Sequence, residues 1–272
     1  MTAPQDKTQH ELLQERAAAV DLRAYHLHLD LSEVLDSPTY RVTTCLELSS
    51  SEPELFLDYL GESVAEVKVN STPQEVDFDG SIIRLHGLPV GEELTIEVTG
   101  YSRYSRTGQG LHRMHDQADD ATYLYSHLEP SDARRIFPCL EQPDLKAVFH
   151  VRMTAPKRWQ ILSNQPEVER SEEGDLATVT FAPTPPLSTY LTSFAAGPYR
   201  YQERTWTAPD GSHSAQLRAF ARASMFEHLD EEILELTAQG MDFFHQNFGY
   251  PYPWGKYDSI FVPEYNLGAM EN

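Results

Sequence analysis

Arg23-Ala24-Tyr25-His26-Leu27-His28-Leu29-Asp30-Leu31 is the stretch that decides the fold class. Tyr25, Leu27, Leu29 and Leu31 alternate with Ala24, His26, His28 and Asp30, and a period of two marks a strand with one face buried. Tyr40, Val42, Thr44, Leu46 and Leu48 repeat the alternation. Further strand-like runs lie at 54–58, 65–69, 81–85, 93–101, 122–126, 147–153, 159–162, 177–181 and 189–195. Turn residues such as Asp79-Gly80, Val90-Gly91 and Glu173-Gly174-Asp175 separate them. Many short strands at this spacing predict a mainly β architecture, an antiparallel sandwich or curved sheet, from Arg23 to about Arg200.

Upstream, Thr8-Gln9-His10-Glu11 fits a capping box that opens a helix running through Leu12, Leu13 and the alanines toward Val20. His10-Glu11-Leu12-Leu13-Gln14 departs from the zinc pattern His-Glu-x-x-His at its last position, where a Gln amide is a poor ligand. His26 and His28 share a strand face, but a lone i, i+2 pair is more often a half-exposed polar face than a metal site.

Downstream of Tyr201 the grammar changes. Gln216-Leu217-Arg218-Ala219-Phe220 reads as a strand, and a long amphipathic helix is predicted over 224–248. Its apolar residues Phe226, Leu229, Ile233, Leu236, Met241, Phe244 and Phe248 recur at helical spacing, and Gly249 is placed to end it. The acids Glu227, Asp230, Glu231, Glu232 and Glu235 form its solvated face and favourable first turns, without the alternating loop pattern of a calcium site. Tyr250-Pro251-Tyr252-Pro253-Trp254-Gly255 makes a stiff aromatic loop before a strand over 257–262. The change of period divides the chain into a β-rich unit over 1–200 and the opening of a second, α/β unit over 201–272.

The formal charge of −21, from 42 acidic and 21 basic side chains, argues against nucleic acid or an anionic membrane as partner. No stretch has the roughly 18 consecutive apolar residues of a membrane span, and the polar N-terminus does not resemble a signal peptide. Cys45 and Cys139 belong to no Cys-x-x-Cys pair and read as reduced thiols. A cytoplasmic location is expected.

Three stretches carry the chemistry. They are Ser126-His127-Leu128-Glu129-Pro130 leading into Asp132-Ala133-Arg134-Arg135, then Phe137-Pro138-Cys139-Leu140-Glu141-Gln142-Pro143-Asp144-Leu145-Lys146-Ala147, then Val262-Pro263-Glu264-Tyr265-Asn266-Leu267-Gly268-Ala269-Met270-Glu271-Asn272. In this order they closely resemble the zinc aminopeptidases of the aminopeptidase N family, which have a thermolysin-like catalytic fold. Gly268-Ala269-Met270-Glu271-Asn272 matches that family's exopeptidase signature, and Tyr250-Pro251-Tyr252-Pro253 and Lys256-Tyr257-Asp258 fit the same family. The resemblance runs from about residue 20 to the end. Leu140 stands where an aromatic is common, Glu141-Gln142 replaces the frequent Asp-Glu, and His127 falls where many relatives carry Gln. The first two departures lie in a segment whose prolines set backbone shape; the third bears on substrate preference.

The resemblance implies a saddle-like β domain followed by an incomplete thermolysin-like catalytic domain, and the removal of N-terminal residues from peptides. A free peptide amine has a pKa of about 8 and is mostly protonated at neutral pH. Carboxylates are its natural partners, because charge-assisted hydrogen bonds are the strong ones. Glu129 and Glu271 occupy the matching positions, one in each unit. Losing either would cost on the order of 2 to 5 kcal/mol by leaving a charge unpaired. Gly268 and Ala269 are expected to let an extended substrate backbone approach closely. Met270 and His127 are expected to line the pocket for the first side chain.

Hydrolysis in that family uses Zn²⁺ held by a His-Glu-x-x-His helix and a later Glu, and none of these occurs before Asn272. No Gly-x-Ser-x-Gly elbow or phosphate-binding glycine loop replaces them. The expected partners are peptides with a free N-terminus and the missing remainder of the catalytic domain, with no metal and no catalytic residue in this chain. A non-catalytic peptide-binding or scaffold protein on the same β domain is the alternative. A glycosidase would need two acids flanking a sugar cleft, and no pattern here supports one.

Overall fold

Val20–Asp30 sits at the centre of an eight-stranded sheet. A computed structural model describes residues 9–271, with the side chains of 10–271. In spatial order the sheet runs Glu167–Glu173, Leu176–Phe181, Val148–Pro156, Val20–Asp30, Thr39–Ser50, Glu93–Arg103, Ser63–Val69 and Thr72–Gln74. Tyr25, Leu29 and Leu31 are fully buried and Leu27 nearly so, as the period of two requires. A register shift between Leu22 and Ala24 inserts an extra residue against Thr39–Ser50, which explains why Ala24 and Tyr25 are buried in succession.

The sheet is not wholly antiparallel. Val20–Asp30 and Val148–Pro156 run parallel, with Tyr25 opposite Phe149. Alternation specifies which face a residue takes and carries no information about strand direction. Among the described residues three smaller sheets accompany the large one: Gln160–Ser163, Phe194–Gly197, Ala121–His127 and Gly110–Asp116; Leu55–Asp58, Ile82–Leu85 and Asp77–Phe78; and Arg200–Thr207, Ser214–Ala221 and Lys256–Ile260.

The main core is built on rings. Tyr25 stacks on Phe149 at 4.7 Å, and Phe137 meets Tyr25, Phe149 and Phe194 edge-on at 6.1 to 6.3 Å. Phe137, Cys139 and Leu140 are fully buried, so the proline-flanked segment is interior scaffold. The Tyr25 hydroxyl accepts the Leu140 amide at 2.9 Å. Helix Gln9–Ala19 docks through Arg16, whose Nη1 lies 2.7 Å from Asp58 Oδ2 and whose Nε donates to Gln142 Oε1. The predicted helix is present, while Thr8 of the capping box lies outside the described residues.

The segment after residue 200 has a core of its own around Trp206, Leu217, Ala219, Leu234, Ala238 and Met241. The predicted long helix is divided: Ala223–His228 is a 3₁₀ turn, and the α-helix is Glu232–Phe248, ended by Gly249 in the left-handed conformation. Its apolar residues do not form one buried stripe. Leu234, Ala238 and Met241 face inward, whereas Leu236, Phe243, Phe244 and Phe248 are 53 to 68 % exposed. The run 189–195, expected as one strand, is a 3₁₀ turn at Thr189–Leu191 followed by strand Phe194–Gly197.

Candidate amino-terminus recognition site

Ala121–His127 pairs with Gly110–Asp116, which puts His112 opposite Tyr125 and Gly110 opposite His127. Tyr123, Tyr125 and His127 are two residues apart, so they leave the same face of their strand. Against that face packs the segment that follows Lys256–Ile260, through Val262 and Tyr265. The Tyr125 hydroxyl donates to the Pro263 carbonyl. The Tyr265 ring lies 5.0 Å from His127 and 6.4 Å from Tyr125. Asn266 Nδ2 donates to the Thr107 carbonyl at 2.9 Å, and Glu264 Oε2 is 3.2 Å from His112 Nε2. Residues 263–266 are therefore clamped to the strand that leads into Leu128-Glu129.

The two parts of the chain are also tied behind the site. Arg222 Nη1 reaches Asp116 Oδ2 at 2.6 Å, and the Ala223 amide donates to the Tyr123 hydroxyl at 2.9 Å. Lys256 Nζ donates to the Ser163 carbonyl and to Asp258 Oδ2, both at 2.7 Å. Arg218 grips the same Asp258 carboxylate with Nε and Nη2, at 2.8 and 2.7 Å. Burial alone would push the Asp258 carboxyl up, but its bonds to Arg218 and Lys256 outweigh it and hold the pKa below the ordinary value.

His127 is 6 % exposed, and neither ring nitrogen has a hydrogen-bond partner among the described residues. A buried unpartnered polar group costs about 1 to 3 kcal/mol, and the Tyr265 ring is packed against this imidazole. Glu129 is exposed, and it lies close enough to Tyr265 to act on its phenol: burial raises that group's pKa, and the Glu129 charge raises it further. Gly268, Ala269 and Glu271 are exposed and Met270 is half-buried. Residues 267–271 form bends and irregular chain with no strand, and a Cβ at Gly268 would meet no atom within 4 Å. Glu129 thus lies beside Tyr265, and Glu271 follows six residues later on the same irregular segment. No hydrogen bond or ion pair involves Glu271 among the described residues.

Three residues of this region carry no role in the sequence reading: Tyr125, His112 and Tyr265. His112 lies in Gly110–Asp116, whose burial shows no clean alternation, so its strand leaves no period-two signal. Tyr265 stands inside a recognised stretch, but its contact with His127 spans 138 residues of chain and has no local signature. A cleft of about 450 Å³ adjoins the clamp, lined by Arg106, His112, Arg113, His115 and Glu264.

No group of three or more His, Cys, Asp or Glu among the described residues is arranged to hold a metal ion. The described residues therefore do not fit a zinc centre. No helix among the described residues is long and apolar enough to cross a membrane.

Comparison with known proteins agrees with this geometry. Residues 41–191 match the Peptidase M1 N-terminal domain, and residues 232–272 match the Peptidase family M1 domain. Aminopeptidase N of Streptomyces lividans is 39 % identical over 267 residues, covering 96 % of this chain and 30 % of the relative. Aminopeptidase 2 of Candida albicans is 29 % identical over 288 residues, covering 98 % and 29 %. The Tricorn protease-interacting factor F2 of Thermoplasma acidophilum is 27 % identical over 251 residues, covering 92 % and 30 %. The chain spans about 30 % of the length of these relatives. With the β scaffold, the Gly-Ala-Met-Glu-Asn segment and both domain matches in one order, the chain belongs to peptidase family M1.

Proposed function

We propose that this chain supplies the amino-terminus recognition part of a zinc aminopeptidase that removes N-terminal residues from peptides. Residues 1–200 form its β domain and 201–272 the start of its catalytic domain. The observation that carries the reading is the clamp of segment 263–266 onto strand Ala121–His127, because it joins the elements bearing Glu129 and Glu271. Glu129 and Glu271 each accept a charge-assisted hydrogen bond from the substrate α-ammonium, which fixes the first peptide bond at a set distance from the anchor. Gly268 and Ala269 present backbone to the extended substrate. Met270 and the unpartnered His127 line the pocket for its first side chain.

Zn²⁺ supplies the Lewis acid and the activated water of such a reaction, and this chain's described residues do not hold it. The sequence carries no His-Glu-x-x-His pattern, and this supports the reading that the 272-residue chain alone binds without hydrolysing. The free thiols of Cys45 and Cys139 accord with a cytoplasmic site of action.

The test is steady-state kinetics of the whole protein on aminoacyl-arylamides. Glu129→Gln and Glu271→Gln should each lower kcat/KM by an amount equivalent to about 2 to 5 kcal/mol. Substrates acetylated on the α-amine should not be turned over. Values for both variants within threefold of wild type, or zinc-dependent turnover by the 272-residue chain itself, would overturn the reading.

A further inference from the structure

The clamp turns on His112, a residue that would not itself touch the substrate amine. His112 is buried, with its side chain 2 % exposed, and its ring lies 5.0 Å from that of Tyr125. Its Nδ1 accepts the Gly108 amide at 3.0 Å, so that nitrogen carries no proton. The neutral ring then has its proton on Nε2, which donates to Glu264 Oε2 at 3.2 Å. Both bonded neighbours hold the segment 263–266. Gly108 has φ +83°, and a Cβ there would lie 2.6 Å from Asn266 Nδ2, so its backbone forms the seat on which Asn266 rests. The adjacent Thr107 carbonyl accepts the Asn266 amide. Glu264 has φ +54°, a conformation that needs support from its surroundings in a residue with a side chain.

We infer that His112 is a positioning residue for amino-terminus recognition: as a neutral Nε2–H imidazole it couples the Thr107-Gly108 seat to Glu264, and a second proton on Nδ1 unseats the segment that leads to Glu271. The inference rests on the recognition role proposed above. A proton on Nδ1 would point at the Gly108 N–H, so that hydrogen bond must break. The groups facing the ring are Glu264 and Tyr125, with Arg106, Arg113 and His115 across the cleft. Glu264 favours the cation, but its side chain is 64 % exposed and its attraction is screened. Burial dominates and holds the His112 pKa below its ordinary value. The sign follows. The undocked segment exposes a ring that takes up its proton at about pH 6.5, before the docked one does. Docking is complete above that pH and weakens as the pH falls through and below it.

Two measurements test the hinge. In the 272-residue chain, NMR should show His112 as the Nε2–H tautomer at pH 7.5. The Gly108 amide and Asn266 side-chain resonances should shift together as the pH is lowered to 5. His112→Asn retains an acceptor near the Nδ1 position and should keep Gly108 and Asn266 seated without that titration. His112→Phe keeps the ring and should lose the seat at all pH values. In the whole protein, KM for an aminoacyl-arylamide should rise on the order of tenfold in His112→Phe with kcat within threefold of wild type. The wild-type rise in KM below pH 6.5 should be absent in His112→Asn.

Asn266 resonances indifferent to pH and to His112→Phe would overturn the hinge. Resonances that move while KM stays flat in both variants would overturn its link to recognition. Because the NMR arm involves no peptidase activity, failure of the hinge is distinguishable from failure of the aminopeptidase reading.

Discussion

The large sheet and the Glu232–Phe248 helix use apolar residues in opposite ways. In the sheet, each alternate residue of the Val20–Asp30 strand finds its partner within this chain, and Tyr25, Leu29 and Leu31 are fully buried. In the helix, Leu234, Ala238 and Met241 are covered, while Leu236, Phe243, Phe244 and Phe248 are more than half exposed. Phe244 and Phe248 stack on each other at 5.3 Å, forming an aromatic surface instead of entering the core. The difference is one of closure: a strand paired on both edges and covered over one face fulfils its own pattern, whereas a helix with two apolar faces fulfils one here. Residues of equal hydrophobicity therefore differ greatly in what they contribute to the stability of this chain.

That contrast can be broken at several points, and the largest effects belong to the sheet side. Phe137→Ala removes a fully buried ring that meets three others and should destabilise the chain by about 3 to 5 kcal/mol in denaturant unfolding. Asp58→Ala leaves Arg16 as a buried unpaired cation, its side chain only 2 % exposed, and should cost a comparable 3 to 5 kcal/mol. Here Asp58→Asn sharpens the result, since it retains the acceptor for the Glu141 amide at 2.9 Å and removes only the charge.

The junction between the two regions should respond less, and with pH. Asp258 has its pKa lowered in the folded chain, against about 3.9 in the unfolded one. The unfolded chain therefore binds the proton first. The contribution of Asp258 is complete above that value and is lost as the pH falls through the folded one. The stability difference between wild type and Asp258→Asn should shrink between pH 5 and pH 2; a difference constant over that range would show that the charge plays no part. The smallest effect belongs to the exposed helix face, where Phe244→Gln and Phe248→Gln should each change unfolding free energy by no more than about 0.5 kcal/mol. A loss of several kcal/mol in either would show that this face is packed.

Much of this arrangement was legible residue by residue. The alternation of Tyr25, Leu27, Leu29 and Leu31 appears as burial, and the turn signals at Asp79-Gly80 and Val90-Gly91 fall between strands. Strands Gly110–Asp116, Glu167–Glu173 and Arg200–Thr207 were not legible. The first is nearly continuous in its burial, and the second is exposed on every residue. Neither pattern has a period to read. The helix was legible in existence and in its C-terminal glycine, but not in the break at Leu229, whose extended backbone ends the 3₁₀ turn. In the candidate site, Glu129, His127, Met270 and Glu271 were singled out from their motifs. His112 and Tyr265 were not, because their contacts join residues more than a hundred apart in the chain.

The sequence by itself determined the β-rich class, the change of pattern near residue 200 and the family, because period, turn chemistry and motif order are local properties of the chain. Only the tertiary structure decided that two central strands run parallel, which helix face is covered, and that His112 bridges Gly108 to Glu264. These depend on pairings between distant segments, and the energy of such a contact is not encoded in either partner alone.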